Sequence, residues 1–77
     1  MDIRKVQLGG FREVDQKYPL YIDNVEGPPF KAKDSEGVEL TIEDLSYNDS
    51  TKQVSLFVRL NATVVRDGII NLESGSE

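Results

Sequence analysis

The chain contains no cysteine, no histidine and no tryptophan, and only one methionine. Without cysteine, the disulfides that staple many small secreted domains are excluded. Without Cys and His together, a structural zinc site loses its usual ligands. The same two absences remove the side chains that most often perform general acid–base and covalent catalysis near neutral pH. Long apolar runs are missing too, and no segment approaches the roughly twenty residues that a membrane-spanning helix needs. The opening residues, Met1-Asp2-Ile3-Arg4-Lys5, lack the apolar stretch of a secretory leader. The expected setting is reducing and cytoplasmic.

What is present must build a core by aliphatic and aromatic packing within 77 residues, or complete one with a partner subunit. The net charge of −5 is unevenly placed. Residues 23–49 hold eight acids (Asp23, Glu26, Asp34, Glu36, Glu39, Glu43, Asp44, Asp49) against Lys31 and Lys33, so this segment carries −6 and the rest +1. A field of that sign repels phosphate backbones and anionic lipid. Duplex DNA and membrane surfaces are therefore not expected partners.

Hydrophobic alternation is clearest in the second half. Val38, Leu40 and Ile42 alternate with Glu39, Thr41 and Glu43, and Val54, Leu56, Val58 and Leu60 with Ser55, Phe57, Arg59 and Asn61. The turn formers from Ser46 to Thr51 lie between them. A five-residue loop, Tyr47 to Thr51, pairs Ile42 with Leu56, Leu40 with Val58 and Val38 with Leu60 unless a bulge intervenes, because a one-residue slip reverses every side chain. That register sets Glu39 opposite Arg59 and Thr41 opposite Phe57. Asp67-Gly68, flanked by Val64-Val65 and Ile69-Ile70, reads as a two-residue hairpin turn pairing Val65 with Ile70 and Thr63 with Leu72. The change of apolar face places a bulge near Asn61-Ala62.

Earlier in the chain, residues 2–8 read as a strand ended by Gly9-Gly10, and Tyr18 to Asp23 as a strand whose Pro19 suits an edge. Phe11, Val14 and Tyr18 share a helical spacing. Gly27-Pro28-Pro29 imposes an elbow, with a cis bond possible at an X-Pro link, before a weak edge strand at Lys31-Ala32-Lys33. The fold expected is mainly β, a small antiparallel barrel or roll of five to six short strands with at most one helical turn. One β domain spans residues 1–73, and residues 74–77 form a disordered polar tail.

No residue set reads as catalytic, cofactor-binding or metal-binding. Glu39 and Glu43 on one strand face are spaced near the upper limit of a paired-carboxylate mechanism, but an outer strand face is not a cleft. Asp34-Ser35-Glu36-Gly37 followed by Glu39 misses the twelve-residue calcium-loop pattern and reads as a turn. Gly9-Gly10 has no Lys-Ser/Thr after it, Pro28-Pro29 lacks PxxP spacing, and the triplets Asn48-Asp49-Ser50 and Asn61-Ala62-Thr63 are short enough to arise by chance. The expectation is a non-enzymatic protein-binding or assembly module presenting an acidic β face, with Glu39, Glu43, Phe57 and Arg59 as its contact residues and no cofactor. Phe57 on the polar side of its strand also fits core. An exposed edge strand offers a route to a homo-oligomer. Two alternatives are a single-strand nucleic-acid binder using Phe57, Tyr47 and scattered bases, and an acidic mimic of nucleic acid that blocks a basic protein.

Overall fold

A computed structural model describes residues 1–75 of the chain. The alternating segments become strands, and the structure is mainly β, as expected. Among the described residues there are seven strands rather than five or six: β1 (Asp2–Gln7), β2 (Lys17–Ile22), β3 (Phe30–Lys33), β4 (Glu39–Leu40), β5 (Ile42–Asn48), β6 (Gln53–Arg59) and β7 (Ile69–Ser74). One helix, α1 (Ala62–Asp67), separates β6 from β7. The strands pair antiparallel into two sheets, one ordered β1-β7-β3-β4 and the other β2-β6-β5.

Each sheet turns one face inward. From the three-stranded sheet come Leu20, Val54, Leu56 and Val58, and from the four-stranded sheet Ala32, Leu40, Ile70 and Leu72, all buried in a single cluster with Leu8, Val25, Leu60 and Val64. Phe30 and Tyr47 meet between the sheets with ring centroids 5.4 Å apart, and the Tyr47 hydroxyl donates to the Val25 carbonyl. That contact gives the buried end of a tyrosine the polar partner it requires.

The alternating run from Val38 to Glu43 is cut in two. Leu40 pairs with Ala32 in the four-stranded sheet, while Ile42 pairs with Val58 in the three-stranded one, so the chain changes sheets at Thr41. The expected hairpin register is accordingly replaced. Asn48 pairs with Gln53 around a loop of residues 49–52, Tyr47 with Val54 and Ser46 with Ser55. A bulge then intervenes between Glu43 and Ser46, after which Glu43 pairs with Phe57. Asp44 in the bulge has φ 53°, a left-handed conformation that aspartate tolerates better than most residues. The bulge restores the inward side of Ile42, which a uniform ladder would have turned outward. Val38, expected inside, is 55% exposed because the strand has not yet begun.

Asp67-Gly68 closes a helix rather than a hairpin. The Asn61 side chain accepts the Val64 N–H at 3.0 Å as N-cap, and Gly68 at φ 70° donates its own N–H to the Val64 carbonyl at 2.7 Å. Both readings need a left-handed residue at Gly68. The helix wins because it caps both its ends and buries Val64 completely. No bulge is needed at Asn61-Ala62, since β6 simply ends at Arg59.

Three further expectations change. Lys31-Ala32-Lys33 lies in the sheet interior, between β7 and β4, and Ala32 is fully buried there. Phe11 and Val14 stand exposed on a loop, not on a helix. Order persists past residue 73: Ser74 is buried at the end of β7, and the Gly75 N–H donates to the Pro29 carbonyl at 3.1 Å. The remainder of the expected tail, residues 76–77, lies outside the described residues. Pro19 does sit on an edge strand, and the Pro28-Pro29 bond is cis.

Candidate functional site

The even positions of β6 enter the core, so Gln53, Ser55, Phe57 and Arg59 point to the opposite side of the sheet. Register supplies their neighbours. On β2, Lys17 lies beside Arg59, Pro19 beside Phe57 and Tyr21 beside Ser55. On β5, Glu43 lies on the other side of Phe57. Pro19 and Tyr21 are exposed and Phe57 is half-buried, so this outer face carries an apolar strip across two strands.

A charged group closes one end of that strip. Lys17 stands 4.9 Å from the Phe57 ring centroid, 2.6 Å from an Asp44 carboxylate oxygen and 4.0 Å from Glu43. The Arg59 Nε–H donates to Glu43, and Arg59 Nη1 donates to the Asp15 carbonyl at 2.9 Å. The Arg59 hydrogen bond, helped by the positive charges of Arg59 and Lys17, lowers the Glu43 pKa below the usual glutamate value. The reciprocal contact raises that of Arg59. Two acids thus face two bases, and the face is close to neutral at this end.

Sequence reasoning and geometry agree on part of this group. Glu43, Phe57 and Arg59 come together, but Glu39 does not join them. It sits on β4 of the other sheet, opposite Lys33. The cause is the change of sheets at Thr41, which separates two acids that one continuous strand would have aligned. Thr41 is not opposite Phe57 either; its carbonyl accepts the Arg59 N–H. Lys17, Pro19, Tyr21 and Asp44 were missed. The outward alternation of Lys17, Pro19 and Tyr21 was readable in sequence, but the pairing of β2 with β6 was not, because strand order depends on contacts far apart in the chain.

Asp34 belongs to a different polar cluster. It is 1% exposed, and its carboxylate accepts the N–H groups of Glu36 (2.8 Å) and Val38 (2.9 Å) and the Asn61 Nδ2–H (2.8 Å). Burial by itself raises its pKa, but the hydrogen bonds from Asn61 and from the amides of Val38, Glu36 and Gly37 together hold it below the usual aspartate value. The turn that follows β3 is thereby tied to the N-cap of α1. Ser35 donates to Asp67 and Arg66 pairs with Glu36 at 3.1 Å, adding two more links between turn and helix. The acids of this stretch act as acceptors for the chain itself. Among the described residues, no group of three acids converges as a metal site.

An open depression of about 340 Å³ lies on the outer side of the four-stranded sheet, lined by Met1, Pro29, Lys31, Lys33, Glu73 and Gly75. Lys33 pairs with Glu73 there at 3.0 Å. No helix among the described residues is long and apolar enough to cross a membrane. Comparison with protein-family models, curated proteins and solved structures returns no match for this chain.

Proposed function

We propose that this chain is a non-enzymatic protein-binding or assembly module, and that its contact surface is the outer face of the β2-β6-β5 sheet. The observation that carries the reading is the uncovered strip of Pro19, Tyr21 and Phe57 bordered by Lys17, Glu43, Asp44 and Arg59. Aromatic side chains in such a setting supply contact area, and the surrounding charges fix orientation. The overall charge of −5 favours a partner with a basic surface, mainly through the rate of encounter.

Two placements support protein over single-stranded nucleic acid. Nucleic-acid stacking sites need unpaired bases of the protein beside their aromatics. Here Lys17 and Arg59 are already held by Asp44 and Glu43; of the lysines that hold no ion pair among the described residues, Lys5 and Lys31 lie on the other sheet and Lys52 lies in the loop joining β5 to β6, beyond Gln53 and away from the Phe57 level. A phosphate-mimicking row of carboxylates is disfavoured by the same pairing.

The test is site-directed photo-crosslinking from position 21 in cells, repeated with Phe57→Ser. The expected result is one dominant protein adduct that the Phe57→Ser change reduces at least about tenfold, the usual scale of an aromatic anchor. Adducts that Phe57→Ser leaves unaltered would refute this assignment of the surface.

A further inference from the structure

We propose that β1 accepts an extended, acidic segment of a partner protein as a fifth strand of the four-stranded sheet. This surface is distinct from the Phe57 face and stands independently of it.

The two sheets have four outer strands, β1, β4, β2 and β5. Exposed sheet edges invite pairing, and proteins blunt them by shortness, proline or bulges. β4 is two residues long. β2 carries Pro19. β5 is interrupted by its bulge at Asp44-Leu45. β1 has none of these devices: six consecutive residues pair regularly with β7 from Asp2–Ser74 to Gln7–Ile69. Its lone edge-blunting feature is charge, and that charge selects an occupant.

On the outer side of this sheet β1 presents Ile3, Lys5 and Gln7, opposite Glu73, Asn71 and Ile69 of β7. β3 adds Lys31 and Lys33, opposite Glu73 and Asn71. Glu73 is engaged by Lys33, leaving Lys5 and Lys31 without an ion pair among the described residues. An added strand would lie about 4.8 Å from β1, which places its outward side chains directly beside Lys5. Lys31 and Lys33 stand farther in and contribute to the local potential. On the core side the charges are already matched, since Arg4 pairs with Asp2 at 3.1 Å and also donates to the Asp23 and Asn24 carbonyls. The vacant charge is therefore positive and on one face only. The segment that fits supplies main-chain hydrogen bonds to the edge, an acid opposite Lys5 and an apolar residue opposite the 53% exposed Ile3.

The experiment uses isotope-labelled protein and two acetylated eight-residue peptides with threonine at every second position; the remaining positions, which share one strand face, alternate valine with glutamate in one peptide and valine with lysine in the other. Amide chemical shifts are followed during titration. The glutamate peptide is expected to move the amides of residues 3–7 and to bind about tenfold more tightly than the lysine peptide, the combined effect of a few exposed charge pairs. Lys5→Glu is expected to invert that preference, and Lys5→Gln to erase most of it. Equal affinity for the two peptides, or shifts confined to residues 19–21 and 55–59, would overturn the proposal. So would concentration-dependent changes at β1 without peptide, which would assign the edge to a second copy. Phe57→Ser leaves this titration unchanged, so failure here and failure of the Phe57 surface are separate results.

Discussion

Exchanging Asp34 and Asn61 probes the link between the β3–β4 turn and α1 more sharply than deleting either. Asn61 has no freedom to rotate its amide. Its Oδ1 accepts the Val64 N–H, so its Nδ2 must face Asp34. Asp34→Asn keeps an acceptor for the Glu36 and Val38 amides but sets one NH2 group against another. Asn61→Asp keeps the helix cap but sets two carboxylates against each other in a buried site. Each change costs about 2 kcal/mol, the penalty of leaving a buried polar group opposed or unsatisfied. Independent effects would sum to about 4 kcal/mol. The exchanged pair, with Asn at 34 and Asp at 61, recreates every donor–acceptor match. It is expected within about 1 kcal/mol of the native chain, a coupling of about 3 kcal/mol. Against a total stability of about 4–11 kcal/mol for a chain of this length, that difference is large. Urea denaturation followed by far-ultraviolet circular dichroism at pH 7 reads it as a midpoint shift at constant slope. An exchanged variant as unstable as the summed singles would refute the network as described.

Asp34→Ala removes the acceptor from three donors at once, and at about 1 kcal/mol each it lowers the melting temperature by about 12–24 °C in a calorimetric scan. The Asp34 pKa is depressed in the folded state, so its contribution is complete above the ordinary aspartate value and is lost as pH falls through the folded value. Stability measured from pH 6 downward is expected to decline in that acid window, with the decline blunted in Asp34→Asn. Gly68→Ala strains a residue at φ 70° and brings a Cβ to 3.2 Å from the Leu8 carbonyl oxygen; a loss of about 2 kcal/mol in urea denaturation is expected. Glu43→Gln removes an exposed ion pair and leaves the urea midpoint unchanged within error, a check that this group serves the surface rather than the fold.

Much of the strand content was legible because alternation is local. Lys17–Ile22 and Gln53–Arg59 follow it closely, with inward side chains where the pattern places them, whereas Asp2–Gln7 turns Val6 toward the core but Ile3 outward. Asp67-Gly68 misled because a left-handed glycine serves a helix end as well as a hairpin, and the decisive residue, Asn61, lies seven positions earlier. The site was legible only within the β5–β6 hairpin. Phe57, Arg59 and Glu43 are neighbours through that hairpin, while Lys17 reaches them from a strand some forty residues away in sequence. Glu39 misled for the opposite reason. Nothing in an unbroken alternating run announces that Thr41 hands the chain from one sheet to the other.

The position of β7 bears on how the molecule can be made. It is the final strand described, yet it lies between β1 and β3, the partners on its two sides. During synthesis, β1 must wait for Ile69–Ser74 before its own ladder exists, whereas β2, β5 and β6 have every partner earlier. Contacts this distant along a chain slow folding because the intervening loop must close first. Ribosome-bound fragments ending at Gly68 are therefore expected to hold at most the three-stranded half, with the Asp2–Gln7 segment unprotected until β7 clears the exit tunnel.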